Sequence, residues 1–486
     1  MRLESIVSLV KPIRVRGPVD VDIEGIAYDS RQVKKNYIFV ALRGFREDGA
    51  VFIEDAIRRG AVAIVSESDL RLRRSVTHVL VENARRAMAE MSCAFYDHPS
   101  DKLKVIGVTG TNGKTTTSFL IHDLLEAEGL APGLMGTVHY QVGSRFIPAT
   151  RTTPESPDVQ YLLDQMVRAG CRSAVMEVSS HALKQFRVEG TDFDVGVFTN
   201  LTRDHLDYHG TMENYFEAKV ELFCNLGRGH KHATAVVNRD DAWGARLAAM
   251  DGIQADRLTY GLHARADVRA ENIRVSHEGT HFDLRSPWGS APVFLQLLGR
   301  FNVSNALAAI AAGGALRLPF DRTLRFLGQM RGAPGRLECF KSPRGFRVFV
   351  DYAHTEDALR RALETLRELK PRRLIAVFGC GGDRDKGKRP LMGAVAFRMA
   401  DFSILTNDNP RREKPEDIFT DILCGIPAAG RCEVIADREE AIAGAMGMAQ
   451  EGDIVLVAGK GHENMQEFAN KVVPFDDREV VQRYFK

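Results

Sequence analysis

The residues best suited to chemistry lie in a glycine-rich loop, GTNGKTTT, at positions 110–117. Backbone N–H groups of such a loop, together with the positive end of a following helix, bind phosphate groups. The Lys114 ammonium can reach the outer phosphates of a nucleotide, and the Thr115 hydroxyl can bind magnesium. This loop therefore predicts a site for ATP and Mg²⁺.

The spacing of this loop differs from that of the common phosphate-binding loop. Gly110 and Gly113 enclose only Thr111 and Asn112, whereas the common loop has four residues between its glycines. A glycine-rich turn beside a surface lysine is the alternative interpretation. The flanking patterns favour nucleotide binding, because apolar residues predict a strand before the loop (Val105, Ile106, Val108) and a helix after it (Leu120, Ile121, Leu124, Leu125), which ends at Gly129.

Two later strand ends carry carboxylates and imidazoles. Glu177 ends the apolar run of SAVMEVSSHAL, and His205 follows the apolar run of FDVGVFTNLTRDHLDYHG. Ligands of open parallel sheets gather at the carboxyl ends of strands, so we expect both side chains beside the triphosphate, where they would hold magnesium. The alternative, that the polar residues here are turn formers or caps, is favoured for Asp207 and His209.

Lys219 lies in YFEAKVELF, in a predicted helix whose apolar face includes Tyr215, Phe216 and Leu222. Taken alone, a lysine in such a helix is most often a surface residue whose ammonium extends to water.

The elements that must position these residues alternate between short apolar strands and amphipathic helices, a pattern typical of parallel sheets with crossover helices. The stretches 96–102 and 331–338 are rich in Gly, Pro and polar residues and read as linkers. They predict three α/β domains, at 1–100, 101–332 and 333–486.

Composition excludes several classes of protein. The 66 basic and 64 acidic residues leave a net charge of +2, which gives no electrostatic reason to expect nucleic acid or a membrane surface as partner. The seven cysteines form no C-x-x-C pair, so neither a disulfide framework nor a structural zinc site is expected. Without a leader pattern or a membrane-spanning apolar run, the expectation is a cytoplasmic protein with no membrane insertion. We also expect a monomer.

Taken together, the motifs of the chain resemble those of the Mur ligases. The resemblance extends over all three predicted domains in order: GTNGKTTT (110–117), MEVSSHAL (176–183), TNLTRDHLDYHG (199–210), YFEAKVELF (215–223), LGRFNVSNALAA (298–309), PGRLE (334–338), DYAHT (351–355) and GKGHE (459–463). It implies an ATP-dependent amide ligase, in which a substrate carboxylate is phosphorylated to an acyl phosphate and then attacked by an amine. It also implies an N-terminal uridine-nucleotide-binding domain, a central P-loop-type ATPase domain with a mostly parallel sheet, and a C-terminal Rossmann-like domain that binds an amino acid.

The resemblance assigns roles at the ATP site. Lys114, Lys219, His205 and Glu177 match catalytic positions, and the metal set becomes Thr115, Glu177, His205 and Lys219. Lys219 matches a lysine that carries a CO2-derived carbamate in this family; the carbamate is an anion and can bind Mg²⁺, which a free ammonium would repel. The nucleotide positions are Gly110, Thr111, Asn112, Gly113, Lys114, Thr115, Thr116, Asn302, Asn305, Arg336, Asp351, Tyr352 and His354. N-capping of a helix that starts near Ala306 is the alternative for the two asparagines.

The resemblance places the substrate UDP-MurNAc-L-Ala-D-Glu across the first two domains. Ser30 matches a uridine-nucleotide position, and Asn36 stands where a glycine is usual, in a left-handed turn that Asn tolerates. The stretch Phe45 to Glu47 departs from the family pattern. In the central domain, the muramoyl-dipeptide positions are Thr152, Thr153, Ser179, Gln185 and Arg187, for which strand termination at Thr-Thr-Pro is the alternative.

The turn Asp408-Asn409-Pro410-Arg411 matches the family members that add meso-diaminopimelate. This amino acid is lysine with a second carboxylate on its far carbon, and the planar fork of Arg411 can bind that carboxylate in two places. Arg384, Gly459 and Glu463 match the remaining pocket positions, Glu463 facing the amino group beside the far carboxylate. A helix-entry turn with a solvated arginine is the alternative.

Three other functions stay open from the sequence: a lysine-adding Mur ligase, a folylpolyglutamate synthetase-like ligase, and a P-loop switch or motor ATPase. The second lacks this type of N-terminal domain, and the third leaves Lys219 and GKGHE without a role.

Overall fold

A computed structural model describes residues 1–44, 48–72, 75–427 and 431–485. Its strands form three large sheets, each packed against helices, and one separate two-stranded hairpin. Within the described ranges, no helix combines the length and the apolar character that crossing a bilayer requires. The prediction of an α/β fold with mostly parallel sheets is confirmed.

The N-terminal sheet has five strands. Its elements are α1 (Leu3–Val7), β1 (Arg14–Arg16), β2 (Gly25–Ala27), β3 (Tyr37–Val40), α2 (Ile53–Arg58), β4 (Ala61–Ser66), β5 (Thr77–Leu80) and α3 (Ala84–Phe95). The strand order is β1-β5-β4-β3-β2, and only the β1–β5 pair is antiparallel. Ile38, Val65 and Val79 pack with Met88 of α3 in one core.

The central sheet has eleven strands. Its elements are β6 (Lys104–Thr109), α4 (Lys114–Ala127), β7 (Pro132–Met135), β8 (His139–Val142), β9 (Arg145–Pro148), α5 (Ser156–Arg168), β10 (Ser173–Glu177), α6 (Ser180–Lys184), β11 (Val195–Phe198), α7 (Leu206–His209), α8 (Met212–Asn225), β12 (Thr234–Asn238), α9 (Ala242–Ala249), β13 (Asp256–Gly261), β14 (Val268–Val275), β15 (Thr280–Ser286), β16 (Gly289–Leu295), α10 (Arg300–Ala315) and α11 (Phe320–Leu327). The order is β16-β15-β14-β13-β12-β11-β6-β10-β7-β8-β9. From β14 to β7 along this order, each strand is parallel to the next. Beyond these two strands, at both ends of the sheet, the added strands pair antiparallel.

Both faces of the central sheet are covered, as its apolar strands require. Val105 packs with α5 and α8 on one face, and its neighbour Ile106 packs with α4 and α10 on the other. This follows from the alternation of side chains along a strand, and it explains why the run before the phosphate loop is continuously apolar.

The C-terminal sheet has six strands. They are β17 (Glu338–Lys341), β18 (Arg347–Asp351), α12 (Glu356–Glu368), β19 (Leu374–Phe378), α13 (Lys388–Met399), β20 (Phe402–Leu405), α14 (Pro415–Leu423), β21 (Cys432–Val434), α15 (Arg438–Met448), β22 (Ile454–Ala458) and α16 (Asp477–Arg483), with the hairpin β23 (Met465–Glu467) and β24 (Val472–Pro474) outside the sheet. The strand order is β17-β18-β22-β19-β20-β21. All neighbouring strands in this order are parallel except the pair β17 and β18. The polar motifs therefore leave the carboxyl ends of β18, β19, β20 and β22 on one edge.

Local patterns placed several elements correctly. The strand at 402–405 and the helix after Pro415 are where the alternation predicts them, and α4 ends just before Gly129, whose φ is +69°. The helix predicted near Ala306 begins earlier, at Arg300, with Gly299 at its N-cap. The N-cap interpretation of Asn302 and Asn305 is therefore wrong, because both lie inside α10.

Candidate active site

The phosphate loop is packed so closely that its glycines are required. It leaves β6 at Gly110, where φ is +145°, and enters α4 after Gly113, where φ is +87°. A Cβ atom on Gly110 would overlap the Thr199 hydroxyl, and one on Gly113 would lie 2.5 Å from Asn305 Oδ1. Small residues thus keep the loop backbone accessible to a ligand.

Three basic side chains converge on this loop without a carboxylate partner. Lys114 Nζ donates to the carbonyls of Gly110 and Thr111 at 3.0 and 2.9 Å, and Lys219 Nζ donates to the Gly110 carbonyl at 2.8 Å. Arg336 Nη2, from the C-terminal sheet region, donates to Thr115 Oγ1 at 3.1 Å. None of the three forms an ion pair with a carboxylate of the described residues. Such a concentration of donors suits a polyanion.

Lys219 is not the surface residue that its helix alone suggests. Its side chain lies inside the molecule, 1% exposed, with Nζ 4.6 Å from the centroid of the Tyr215 ring. Burial, and then the neighbouring Lys114 ammonium, hold the pKa of the Lys219 amine well below its ordinary value. A buried amine with a lowered pKa is more readily available as a nucleophile than a surface ammonium is.

Glu177, at the end of β10, is fixed by threonines on two neighbouring elements. Its Oε2 accepts hydrogen bonds from Thr115 Oγ1 at 3.0 Å and Thr137 Oγ1 at 3.1 Å. Its Oε1 accepts from the Thr137 backbone N–H at 2.8 Å. The structure therefore brings together Glu177 and Thr115, two residues of the predicted metal set.

No hydrogen bond between described residues joins His205 to that pair. His205 has a left-handed backbone, with φ +53°, and its Nε2 is 3.5 Å from Asp204 Oδ2. Although the His205 side chain is 46% exposed, desolvation by the surrounding protein lowers its pKa to about 4, and a neutral imidazole can bind a metal. Among the described residues, no three His, Cys, Asp or Glu side chains are already arranged around one point as metal ligands. The oxygen and imidazole donors nevertheless suit Mg²⁺ bridged to phosphate oxygens.

A cavity of about 330 Å³ opens beside the phosphate loop, between the central and C-terminal sheets. Its wall contains most of the predicted nucleotide positions: Asn112, Gly113, Thr116, Asn305, Arg336, Asp351, Tyr352 and His354. Residues that the sequence analysis did not single out also line it: Asn238, Asp240, Asp241, Leu262, Arg300, Phe301, Ser304 and Arg361. The cavity lies where a nucleoside attached to loop-bound phosphates would extend.

Several predicted nucleotide positions already have protein partners. Asn302 does not face the cavity; it donates to the Leu298 carbonyl and accepts from Asn305 Nδ2 at 3.0 Å. The Asp351 carboxylate accepts from the backbone N–H groups of Leu337 and Ala353, and burial raises its pKa. These bonds orient Asn305 and Asp351 within the wall.

The predicted muramoyl-dipeptide positions form one hydrogen-bonded cluster next to Glu177. Thr153 Oγ1 donates to the Glu177 carbonyl at 2.7 Å and accepts from the Ser179 backbone N–H at 3.1 Å. Arg187 donates to the Thr153 carbonyl at 2.9 Å and to Gln185 Oε1 at 2.7 Å. Thr152 joins the group through Thr137, hydroxyl to hydroxyl, at 3.1 Å. The cluster and the phosphate loop thus share Glu177.

The predicted uridine positions lie in the N-terminal unit, away from this cluster. Ser30 is buried at the start of a short 3-10 helix, Ser30–Gln32. The prediction of a left-handed turn at Asn36 is confirmed by its φ of +63°. The predicted departure at Phe45 to Glu47 lies outside the described residues.

In the C-terminal unit, the Asp408–Arg411 turn meets the GKGHE segment. Asn409 Nδ2 donates to Glu463 Oε2 at 2.9 Å, and the fully buried Lys460 ammonium bonds both Asn409 Oδ1 and Glu463 Oε2, at 3.0 and 2.9 Å. Arg411 Nη1 donates to the Gly382 carbonyl at 2.8 Å. The structure therefore joins the turn, GKGHE and the GGDRDKGKRP segment in one pocket.

Glycines permit the close contacts in this pocket. A Cβ atom on Gly459 would lie 2.5 Å from Asp408 Oδ2, and one on Gly381 would lie 3.0 Å from Arg411 Nη1 and 3.8 Å from Arg384 Cγ. Arg384 and Arg411 thus flank the same glycine. Pro410 sits at the bend, where its carbonyl would touch a Cβ on Gly382.

Three family models match the chain in succession. They are the Mur ligase family catalytic domain at residues 22–96, the Mur ligase middle domain at 108–313, and the Mur ligase glutamate ligase domain at 335–461. A relative from Geobacter sulfurreducens is 46% identical over 500 residues, covering 99% of this chain and 97% of its own length. One from Geobacillus kaustophilus is 47% identical over 490 residues, covering 100% and 99%. The chain belongs to the Mur ligase family.

Both relatives of this Mur ligase carry the name UDP-N-acetylmuramoyl-L-alanyl-D-glutamate–2,6-diaminopimelate ligase. A solved structure with the same name is 37% identical, with a TM-score of 0.71 over 100% of this chain and 98% of that chain. A folylpolyglutamate synthase from Mycobacterium tuberculosis is 18% identical over 76% of this chain, with a TM-score of 0.62, and shares the fold.

Sequence reasoning missed two residues in the centre of this Mur ligase. Thr137, which holds both oxygens of Glu177, follows β7, the strand next to β10. Its position after a buried strand was the available signal. Lys460 lies within GKGHE, and only its complete burial between Asn409 and Glu463 distinguishes it from a surface lysine.

Proposed function

We propose that the chain is an ATP-dependent amide ligase that joins meso-diaminopimelate to the D-Glu γ-carboxylate of UDP-MurNAc-L-Ala-D-Glu. One observation carries the proposal. Glu177 connects the phosphate loop, through Thr115, to the Thr153 cluster, so a triphosphate and a substrate carboxylate would meet on either side of it. The names of relatives at 46% and 47% identity over nearly the whole chain support the same reaction.

The chemistry requires two anions to approach each other, and the basic side chains of the loop meet that requirement. Lys114 and Arg336 bind the phosphates, which offsets the repulsion between the substrate carboxylate and ATP. The carboxylate oxygen attacks the γ-phosphorus, and ADP leaves. The diaminopimelate amine then attacks the acyl carbon, the carbon–oxygen bond to phosphate breaks, and the amine loses a proton as the amide forms.

Thr115, Glu177, His205 and a carbamate on Lys219 would hold Mg²⁺. When bound, the ion would supply positive charge next to the phosphate oxygens. The surroundings of Lys219 favour the carbamate: the amine is completely buried beside Lys114 and has no carboxylate partner among the described residues. A carbamate would convert it from a competing base into an oxygen ligand.

We assign one substrate to each predicted domain. Residues 1–100, with Ser30, bind the uridine nucleotide, residues 101–332 bind ATP, and residues 333–486 bind the amino acid. Thr152, Thr153, Ser179, Gln185 and Arg187 hold the muramoyl-dipeptide next to Glu177. We further propose that the enzyme acts in the cytoplasm as a monomer.

The amino-acid pocket suits diaminopimelate. Arg411 and Arg384 flank Gly381 and can bind the far carboxylate, and Glu463, at the end of GKGHE, can accept from the adjacent ammonium. Lysine lacks the far carboxylate, so an arginine in this position would repel its ammonium.

ATP turnover tests the proposal. Purified enzyme is given ATP and Mg²⁺ with UDP-MurNAc-L-Ala-D-Glu, with meso-diaminopimelate, or with both, and ADP, phosphate and tripeptide product are measured. We expect stoichiometric ADP and tripeptide only when both substrates are present, since the acyl phosphate needs its amine. Phosphate release without either substrate would favour a switch or motor ATPase instead.

Amino-acid choice is tested by replacing diaminopimelate with L-lysine in the same assay. We expect a large preference for meso-diaminopimelate, and a preference for lysine would move the chain to the lysine-adding alternative. Glutamate with a folate acceptor serves as the third arm, and turnover there would indicate a folylpolyglutamate synthetase-like ligase.

A further inference from the structure

Arg411 has an unusual backbone that neighbouring residues hold in place. Its φ of +52° lies in the left-handed region, which residues with side chains adopt rarely. Its N–H donates to the Glu467 carbonyl at 3.1 Å, and it forms an isolated parallel bridge with Phe468. The hairpin that begins at β23 therefore fixes the backbone from which the Arg411 side chain extends.

The Arg411 side chain is held at one end by the same hairpin. Nε donates to Glu467 Oε2 at 2.9 Å, and Nη1 donates to the Gly382 carbonyl at 2.8 Å. No described residue accepts a hydrogen bond from Nη2. Nε and Nη1 are thus each bonded to protein, while both N–H groups of Nη2 remain for a ligand carboxylate.

The hairpin has further bonds to the turn. The Glu467 N–H donates to Asn409 Oδ1 at 3.0 Å, and Gln466 Nε2 donates to the Asp408 carbonyl at 2.8 Å. The Glu467 side chain itself is half exposed, whereas that of Arg411 is 20% exposed. Glu467 can therefore be changed without leaving an unpaired charge deep inside the protein.

We propose that Glu467 is a positioning residue that determines specificity, because it holds the Arg411 guanidinium so that its free Nη2 group faces the far carboxylate of the amino-acid substrate. The inference rests on the proposed function and deepens it. An unanchored arginine has many rotamers, and ordering it on binding weakens affinity. Glu467 orders it beforehand, through an ion pair that leaves the Nη2 donors available.

Glu467→Gln and Glu467→Ala test this role. We expect kcat/KM for meso-diaminopimelate to fall roughly fivefold to twentyfold, through KM, because a charge-assisted anchor is lost while the reacting groups stay in place. KM for ATP and for the UDP-sugar should stay within about twofold of wild type, since neither site contains Glu467. Glu439→Gln is the matched control: Glu439 pairs with Arg483 at 3.2 Å on the surface of the same unit.

A double-mutant cycle separates positioning from general support of the pocket. In an Arg411→Ala background, Glu467→Gln should leave kcat/KM for diaminopimelate unchanged, because the residue it positions is gone. A second loss of similar size would overturn the proposal and assign Glu467 a structural role.

The remaining outcomes are also decisive. An unchanged KM for diaminopimelate in Glu467→Gln and Glu467→Ala would refute positioning. A lower KM would refute it too, because Glu467 would then compete with the substrate carboxylate for Arg411. Thermal unfolding of each variant checks that the fold is intact. If the wild-type enzyme does not use diaminopimelate, the proposed function itself is refuted. If the wild-type enzyme does use it and the variants are unaffected, only the role of Glu467 is refuted.

Discussion

The phosphate loop and the Asp408–Arg411 turn follow the same kind of element, a buried parallel strand, but their charges are arranged in opposite ways. At the loop, Lys114, Lys219 and Arg336 bond to carbonyls and hydroxyls, with no ion pair to a described carboxylate. At the turn, two basic side chains are paired: Arg411 with Glu467 and Lys460 with Glu463.

The pairing at the turn extends to its supports. Arg389 is fully buried and bonds both oxygens of Glu413 at 3.0 Å, and the pKa of Glu413 is lowered to about 2, chiefly by that contact. Arg438 is fully buried against Asp477 of the last helix, and it donates to the Asn407 and Ala458 carbonyls that precede the turn and GKGHE. Removing one partner of such a pair would leave a buried unpaired charge.

The difference matches the charges of the proposed ligands. A triphosphate next to a carboxylate needs an excess of positive charge, and at the loop Lys114 and Arg336 have no described carboxylate that neutralises them. The far end of diaminopimelate carries one carboxylate and one ammonium, and a pocket with balanced charges can bind both. Charge excess at one edge and charge balance at the other can be tested separately.

The largest effect is expected at the loop. Lys114→Ala should lower ligase turnover by ~10³-fold or more and abolish acyl phosphate formation, because an uncompensated donor to the phosphates is lost. Calorimetry should find UDP-MurNAc-L-Ala-D-Glu binding nearly unchanged. Lys341→Ala, at an exposed lysine of β17, is the control. Loss of both activity and sugar binding would indicate misfolding.

Lys219→Ala should lower turnover by roughly a hundredfold or more, because an anionic metal ligand is removed. High bicarbonate should not restore activity, whereas a small carboxylate such as acetate should restore part of it. ¹³C NMR of wild-type enzyme in ¹³C-bicarbonate supplies an independent measurement, with a carbamate signal that Lys219→Ala lacks. Normal turnover of the alanine variant would refute the assignment.

At the turn, Arg411→Ala should lower kcat/KM for meso-diaminopimelate about tenfold to a hundredfold. A charge-assisted pair is typically worth ~1.5 to 3 kcal/mol, and lysine, which lacks the far carboxylate, should lose less. Arg412→Ala is the matched control, since Arg412 is the next residue and is 70% exposed in a surface pair with Asp383. Equal losses for both amino acids would contradict recognition of the far carboxylate.

The smallest effect concerns pH. Burial, and then Lys388, lower the pKa of His354 to about 4, whereas an unfolded histidine titrates near ~6.5. Between these values the unfolded chain binds the extra proton, so the free energy of unfolding should fall as pH decreases from about 6.5 towards 4. His354 contributes at most ~1.4 kcal/mol per pH unit to that slope. Urea unfolding at several pH values should give a shallower slope for His354→Asn, and an equal slope would contradict a neutral buried imidazole.

Much of the fold is encoded locally. Apolar alternation and turn residues located the strand at 402–405 and the helix after Lys114, because these depend on neighbours within a few residues. The left-handed turn at Asn36 was expected from the family resemblance, since Asn tolerates the backbone that a glycine usually adopts there. The start of α10 was missed, since Gly299 supplies no side-chain cap and the helix begins among polar residues that resemble a loop.

The sequence by itself determined which residue types were available: a lysine after a glycine-rich loop, a carboxylate at a strand end, an arginine in a rigid turn. Only the tertiary structure decided their partners. Glu467 meets Arg411 from 56 positions away, Asp477 meets Arg438 from 39 away, and Lys219 is buried against Gly110 from 109 away. Such contacts depend on the paths of intervening loops and on packing between sheets, which local periodicity does not encode. Whether a basic side chain is paired or left for a ligand was therefore decided by the fold.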